Sequence, residues 1–328
     1  MMIDSNMVKR IIHSLLDPLM WLLNLPIKRS QWFKGLFIAE DGDIYPNNKW
    51  YREHDERNFD LVVLGSSSAK YGYDFAEFDI KAMNWAQAPQ TLVEDYNILC
   101  NFHSILRKGG YVIITIMPFT CLNKQTGIYD AMKYLKISTH KPIEPYLLSK
   151  AYRYFCYPLL LGKPAIKAGL RYLLHREPAN QYKDSESHTN PMTEEQLAHN
   201  AMCFVEGWKK QFDISDFDAP LSNTNKADRA FRIKLMREMI DFCDEREYKA
   251  IYVIPPYTSY LAKYFTPHFE DQFVYSFIKD VDRNIPLFDY SKSETFKNVD
   301  LFFNSFFLNK EGRRLFTERV LKDLKLIN

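Results

Sequence analysis

Nothing in this chain has the spacing of a metal or redox site. Its five cysteines, Cys100, Cys121, Cys156, Cys203 and Cys243, are odd in number, none forms a Cys-x-x-Cys pair, and no His-x-x-x-His occurs. They read as small apolar core residues of a reducing compartment, not as zinc ligands or a disulfide framework. An excess of one charge is missing too: 43 Lys and Arg stand against 41 Asp and Glu, a net +2. The basic residues are spread along the chain, which gives no support to a nucleic-acid partner. No block repeats at a fixed period, which argues against a solenoid or propeller. Gly65-Ser-Ser-Ser68 lacks the glycines and lysine of a phosphate loop. No cofactor and no metal are expected.

A membrane-spanning run is also lacking. Residues 11–25 are rich in Ile, Leu, Met and Trp, but His13, Asp17 and Pro18 interrupt them. The run falls short of the ~20 apolar residues that a spanning helix needs. No small-x-small cleavage site follows, so a signal peptide is not expected. Lys9, Arg10, Lys28 and Arg29 flank the run. Two readings stay open: an amphipathic helix packed on the domain, or peripheral membrane contact through residues 8–25. The expected location is cytoplasmic, with membrane association as its variant.

What is present is a large apolar fraction, 46% of 328 residues, enough for a sizeable core. Short apolar runs alternate with helical periodicity. Leu61-Val-Val-Leu64 reads as a buried strand feeding a turn at Gly65, Ala82-Met-Asn-Trp85 as a weaker one, and Tyr111-Val-Ile-Ile-Thr-Ile-Met117 as the strongest. Leu92, Tyr96, Leu99, Phe102 and Leu106 share one helical side, which Lys108-Gly-Gly110 is expected to stop. From about residue 121 to 225 prolines recur and strand signals vanish, as in a helical insertion, with a polar loop at 181–191. Such insertions often cover a site. Strands resume at 250–254 and 286–290, separated by helices at 228–246 and 269–281, and a helix over 310–326 ends the chain. The pattern predicts an α/β fold with a doubly wound, mostly parallel sheet, α/β/α in three layers. Its expected parts are a lead-in over 1–57, an α/β domain over 58–120 and 226–328, and the insertion over 121–225.

A strand ending in Gly-Ser-Ser sets a hydroxyl at the C-terminal edge of the sheet, where such folds bind ligands. It is the place for a nucleophilic serine, and equally for a plain helix N-cap.

Asp60-Leu-Val-Val-Leu-Gly-Ser-Ser-Ser68, then Asn84-Trp-Ala, then Asp289-Tyr-Ser and Phe307-Leu-Asn-x-x-Gly312 before the last helix resemble blocks of the SGNH/GDSL hydrolase superfamily. The likeness is to its bacterial surface-polysaccharide and acyl-transfer branch, over residues 58–120 and 228–326. It implies Ser67 as the nucleophile. It implies an oxyanion hole from a second-block Gly and a third-block Asn, and a late Asp-x-x-His as acid and base. Carried over, the second block has Ala86 or Ala88 at the Gly position. The third has Pro118-Phe-Thr120 and no Asn. The fourth has Asn304 at the Asp position and Phe307 at the His position.

A serine hydroxyl without a base is a poor nucleophile. The expectation is therefore a catalytically degenerate binding or scaffolding protein for a glycan or acylated small molecule. Gly65, Ser66, Asn84, Ala86, Phe119, Asn304 and Phe307 are expected to line a pocket around Ser67, with Phe306 as the alternative to Phe307 for a ring on its wall. The alternative is an active serine esterase or O-acyltransferase on glycan O-acyl esters. Its base would come from His268 or from an insertion histidine (His140, His175, His188 or His199).

Overall fold

Four apolar residues with no turn former among them form the buried part of the first strand, β1 (Phe59–Leu64). β-Branched side chains suit a pleat that is covered on both faces. In the computed structural model, residues 20–35, 58–87, 90–122, 145–176 and 192–328 are described. The remaining strands are β2 (Ala82–Asn84), β3 (Leu106–Thr115), β4 (Lys249–Ile254) and β5 (Leu287–Asp289). Every pairing is parallel and the order is β2-β1-β3-β4-β5. The protein is a mixed α/β chain built on a parallel sheet.

The helices that matter for the site are α1 (Ser67–Lys70), α2 (Leu92–Phe102), α3 (Pro145–Cys156), α4 (Lys163–Leu173), α5 (Glu194–Phe212), α6 (Asn223–Asp244) and α7 (Lys310–Asp323). The two-residue period of a strand decides which helix meets which face. Leu61, Val63, Ile113, Ile251 and Val253 share one core with Phe316, Val320 and Leu321 of α7. Val62, Leu64, Val112 and Ile114 point the other way and are fully buried. On that side α6 packs on both β4 and α2. The start of α2 is written in Thr91-x-x-Glu94, a capping box: Thr91 N–H donates to Glu94 Oε2 at 2.7 Å.

Two expectations need revision. The Gly109-Gly110 pair does not stop a helix. α2 ends at Phe102, and β3 already runs from Leu106 through both glycines. A Cβ on Gly110 would sit 2.9 Å from the Arg107 carbonyl oxygen and 3.3 Å from that of Asp60. The glycine therefore admits the register shift between Phe59 and Leu61 in the pairing with β3. The helix expected at 269–281 starts at Pro267 and passes through a π-helical turn at Asp271–Tyr275.

Two compact units share the chain. The chain divides into one unit of residues 1–43, 126–138 and 142–184, and another of 44–125, 139–141 and 185–328. The span 121–225 is thus shared out, and α5 belongs to the α/β unit. Residues 8–19 and the 181–191 loop lie outside the described residues, as do Ala88, His140 and His188.

Candidate functional site

Order β2-β1-β3 places the chain reversal of the sheet between β1 and β3, and a ligand crevice forms outside the strand ends at such a point. A cavity of about 170 Å³ lies there. Ser66, Ser67 and Ser68 from the turn after β1 line it, with Thr115, Phe119 and Thr120 from the end of β3 and beyond. Gln90 and Thr91 from the entry to α2, Trp208, Gln211 and Phe212 from α5, and Phe306 complete most of the wall.

The turn after β1 requires its glycine. Gly65 has φ +141°, and a Cβ there would lie 2.8 Å from Ala69 Cβ and 2.9 Å from Thr115 Cβ. Ser67 opens α1, as the strand-to-turn pattern predicts, and is half-buried. Its hydroxyl has no hydrogen-bond partner among the described residues. Ser66 Oγ is engaged, accepting from Gln90 N–H at 3.2 Å.

Beneath the turn lies Asp95, 4% exposed. Its Oδ1 accepts from Gly65 N–H at 2.9 Å and from Gln90 Nε2 at 2.6 Å. Burial raises its pKa from 3.8 to about 7, against the pull of those two donors. Neighbouring Glu94 is also held above the usual carboxylate range by burial. Asp95 is a positioning group, since it fixes both sides of the cavity's polar rim and does not line the cavity itself.

Two hydroxyls on the floor are poorly satisfied among the described residues. Ser68 is 7% and Thr115 4% exposed, and the Ser68 hydroxyl meets no hydrogen-bond partner there. The Thr115 hydroxyl has the Tyr73 hydroxyl beside it, an interaction too poorly aligned to be a full hydrogen bond. Each such buried group costs about 1–3 kcal/mol relative to a satisfied one. The opposite wall is aromatic. Phe119 stacks on Phe212 at 4.7 Å between ring centroids, and Trp208 meets Phe119 at 5.3 Å and Phe306 at 5.2 Å. Among the described residues none of the lining side chains is charged.

Of the residues predicted for the pocket, Ser66, Ser67 and Phe119 line it. Gly65 shapes it from behind. Asn84 serves a different end: its Nδ2 donates to the Ala69 carbonyl at 2.9 Å, and its Oδ1 accepts from Ala86 N–H at 3.0 Å. It ties β2 to the end of α1, and Ala86 is buried in the core behind. Asn304 and Phe307 do not line the cavity. Asn304 Oδ1 accepts from the N–H groups of Phe306 at 2.8 Å and Phe307 at 2.7 Å. Phe302 bridges Leu308, and Phe303 N–H donates to the Phe307 carbonyl at 3.0 Å. The segment doubles back on itself, so Phe306 faces the cavity. Phe307 packs on Tyr71 at 5.1 Å and on Phe303.

The described histidines lie elsewhere. His268 is exposed on the helix Pro267–Glu270. His103 Nδ1 pairs with the Tyr248 hydroxyl at 3.1 Å, His199 lies beside Cys203, and His175 is exposed past the end of α4. Among the described residues none of these imidazoles lines the cavity, and no group of three or more His, Cys, Asp or Glu side chains is placed to hold a metal. The residues that sequence reasoning missed are Ser68, Gln90, Asp95, Thr115 and Trp208. Thr115 alone carried a signal, as the polar residue within an apolar strand. A search of protein-family models finds no match to the chain, and a search of curated proteins finds none either.

Proposed function

We propose that this protein is an SGNH-hydrolase-like domain that has lost its hydrolytic machinery and binds a neutral, hydroxyl-rich ligand. The ligand class is a glycan, or a glycan O-acyl group, of cell-surface polysaccharide metabolism. The observation that carries this is the cavity's make-up among the described residues: the buried, poorly satisfied hydroxyls of Ser68 and Thr115 on the floor, and Trp208 and Phe306 on the wall. A sugar presents hydroxyls on its edge and C–H groups on its faces, and this pairing of surfaces meets both. The uncharged lining offers an anionic ligand no counter-charge. At about 170 Å³ the cavity is small against the roughly 300–1,000 Å³ of sites for drug-sized ligands. It suits a single ring or a short acyl group.

Ser67 keeps the nucleophile's position, which favours the second reading, an esterase or O-acyltransferase. That reading needs a base at Ser67. In another serine hydrolase, losing the histidine costs about 10⁶-fold in turnover. A fluorophosphonate probe divides the two, because it reacts only with an activated serine. The binding reading expects labelling no greater than that of Ser67→Ala. Labelling that Ser67→Ala abolishes establishes the enzyme reading in its place.

A further inference from the structure

The smaller unit concentrates what the rest of the chain disperses. Its described residues, 20–35 and 145–176, contain nine lysines and arginines and no aspartate or glutamate. They also carry every large exposed apolar side chain among the described residues except Met202, Phe231 and Leu287. Trp21, Tyr152, Leu170 and Leu174 are 54–62% exposed.

These side chains are not the unit's own core. That core is built from Ile27, Phe33, Ala151 and Ala165. α4 turns its small residues, Ala165, Ala168 and Gly169, inward, and a Cβ on Gly169 would meet Ile27 Cγ1 at 2.9 Å. Two stripes at four-residue spacing remain on its outer side. Lys163, Lys167 and Arg171 form one, and Ile166, Leu170 and Leu174 the other. Both border a single shallow recess of about 560 Å³. A helix of 11 residues reaches only about 16 Å, against about 30 Å for a bilayer's hydrocarbon core. No helix among the described residues is long and apolar enough to cross a membrane.

We infer that α4 docks this unit on the surface of an anionic lipid bilayer, its leucine stripe entering the headgroup boundary and its basic stripe meeting lipid phosphates. An apolar stripe beside a basic stripe, with no acidic residue among the unit's described residues, is what an in-plane interfacial helix needs. Charge decides the lipid class, since lysine and arginine at this density favour anionic headgroups. A nucleic acid would use the basic stripe and leave the leucines exposed to water. The inference rests on the outer side of α4 and not on the 8–25 run or on the proposed ligand cavity.

The test is co-sedimentation of the full chain with vesicles of phosphatidylcholine alone, or of about three parts phosphatidylcholine to one of phosphatidylglycerol. Binding is expected to the anionic vesicles only, weakening with salt. Each basic residue near such a surface contributes roughly fivefold, so Lys163→Glu/Lys167→Glu/Arg171→Glu should weaken binding by on the order of 100-fold or more. Leu170→Ser/Leu174→Ser should weaken it at least about tenfold. Circular dichroism should be unchanged in both variants, because the altered positions are exposed. Equal binding to both vesicle types, or wild-type binding by either variant, overturns the inference. Self-association that Leu170→Ser/Leu174→Ser abolishes, with no vesicle binding, makes the face a contact between copies and overturns it equally.

Discussion

Replacing Asp95 with asparagine should flatten the dependence of stability on pH, and the sign follows from burial. Asp95 is buried at 4% exposure, and its pKa rises from 3.8 to about 7. Between those values the folded chain holds a proton that the unfolded chain releases. The corresponding stability is complete below about pH 4 and is lost as pH rises through about 7. One pH decade is worth about 1.4 kcal/mol, so the window is worth on the order of 4 kcal/mol. Asparagine mimics the protonated acid, since Oδ1 can still accept from Gly65 N–H and Gln90 Nε2 without burying a charge. The variant should match wild type near pH 4 and exceed it near pH 9. Glu94, also raised by burial, acts with the same sign in both proteins, and its repulsion of Asp95 is the smallest of the causes that shift that group. Urea midpoints across that range are the assay. Parallel profiles, or a variant destabilised at every pH, would show that the two donated hydrogen bonds outweigh burial and that Asp95 is ionised throughout.

Gly65→Ala should cost about 2–5 kcal/mol, adding strain at positive φ to the close approaches to Ala69 and Thr115. The melting temperature should fall by roughly 5–15 °C, and a loss under about 1 kcal/mol would mean the turn relaxes freely. Asn304→Asp with Phe307→His should yield no Ser67-dependent hydrolysis of para-nitrophenyl acetate, because Asn304 caps its own turn and Phe307 packs on Tyr71. A gain that Ser67→Ala removes would place residue 307 in the cavity after all.

Elements whose residues carry local preferences were legible. Leu61-Val-Val-Leu64 and the Tyr111–Thr115 run have no competing conformation, and Thr91-x-x-Glu94 announces α2. The start of β3 was hidden because Arg107-Lys108-Gly109-Gly110 has turn chemistry, while its strand state comes from pairing with β1. Ser67 was readable because strand, glycine and helix are contiguous. Trp208 was not, since only tertiary packing carries α5 to the strand ends. Between Phe306 and Phe307, both candidates by sequence for the cleft wall, the backbone reversal anchored by Asn304 turns Phe306 to the cavity.

The most direct measurement of the central claim is calorimetric titration of wild type and Thr115→Val with neutral, O-acetylated and acidic oligosaccharides. Thr115→Val removes a buried hydroxyl whose contact with the Tyr73 hydroxyl is not a well-formed hydrogen bond, so stability should change by no more than about 1 kcal/mol. The same hydroxyl is available to a ligand, and its loss should weaken binding of a neutral saccharide about tenfold. The account predicts binding of a neutral or O-acetylated saccharide without release of acetate, and none of an acidic one. Failure of every neutral saccharide to bind, or Ser67-dependent release of acetate, would contradict it.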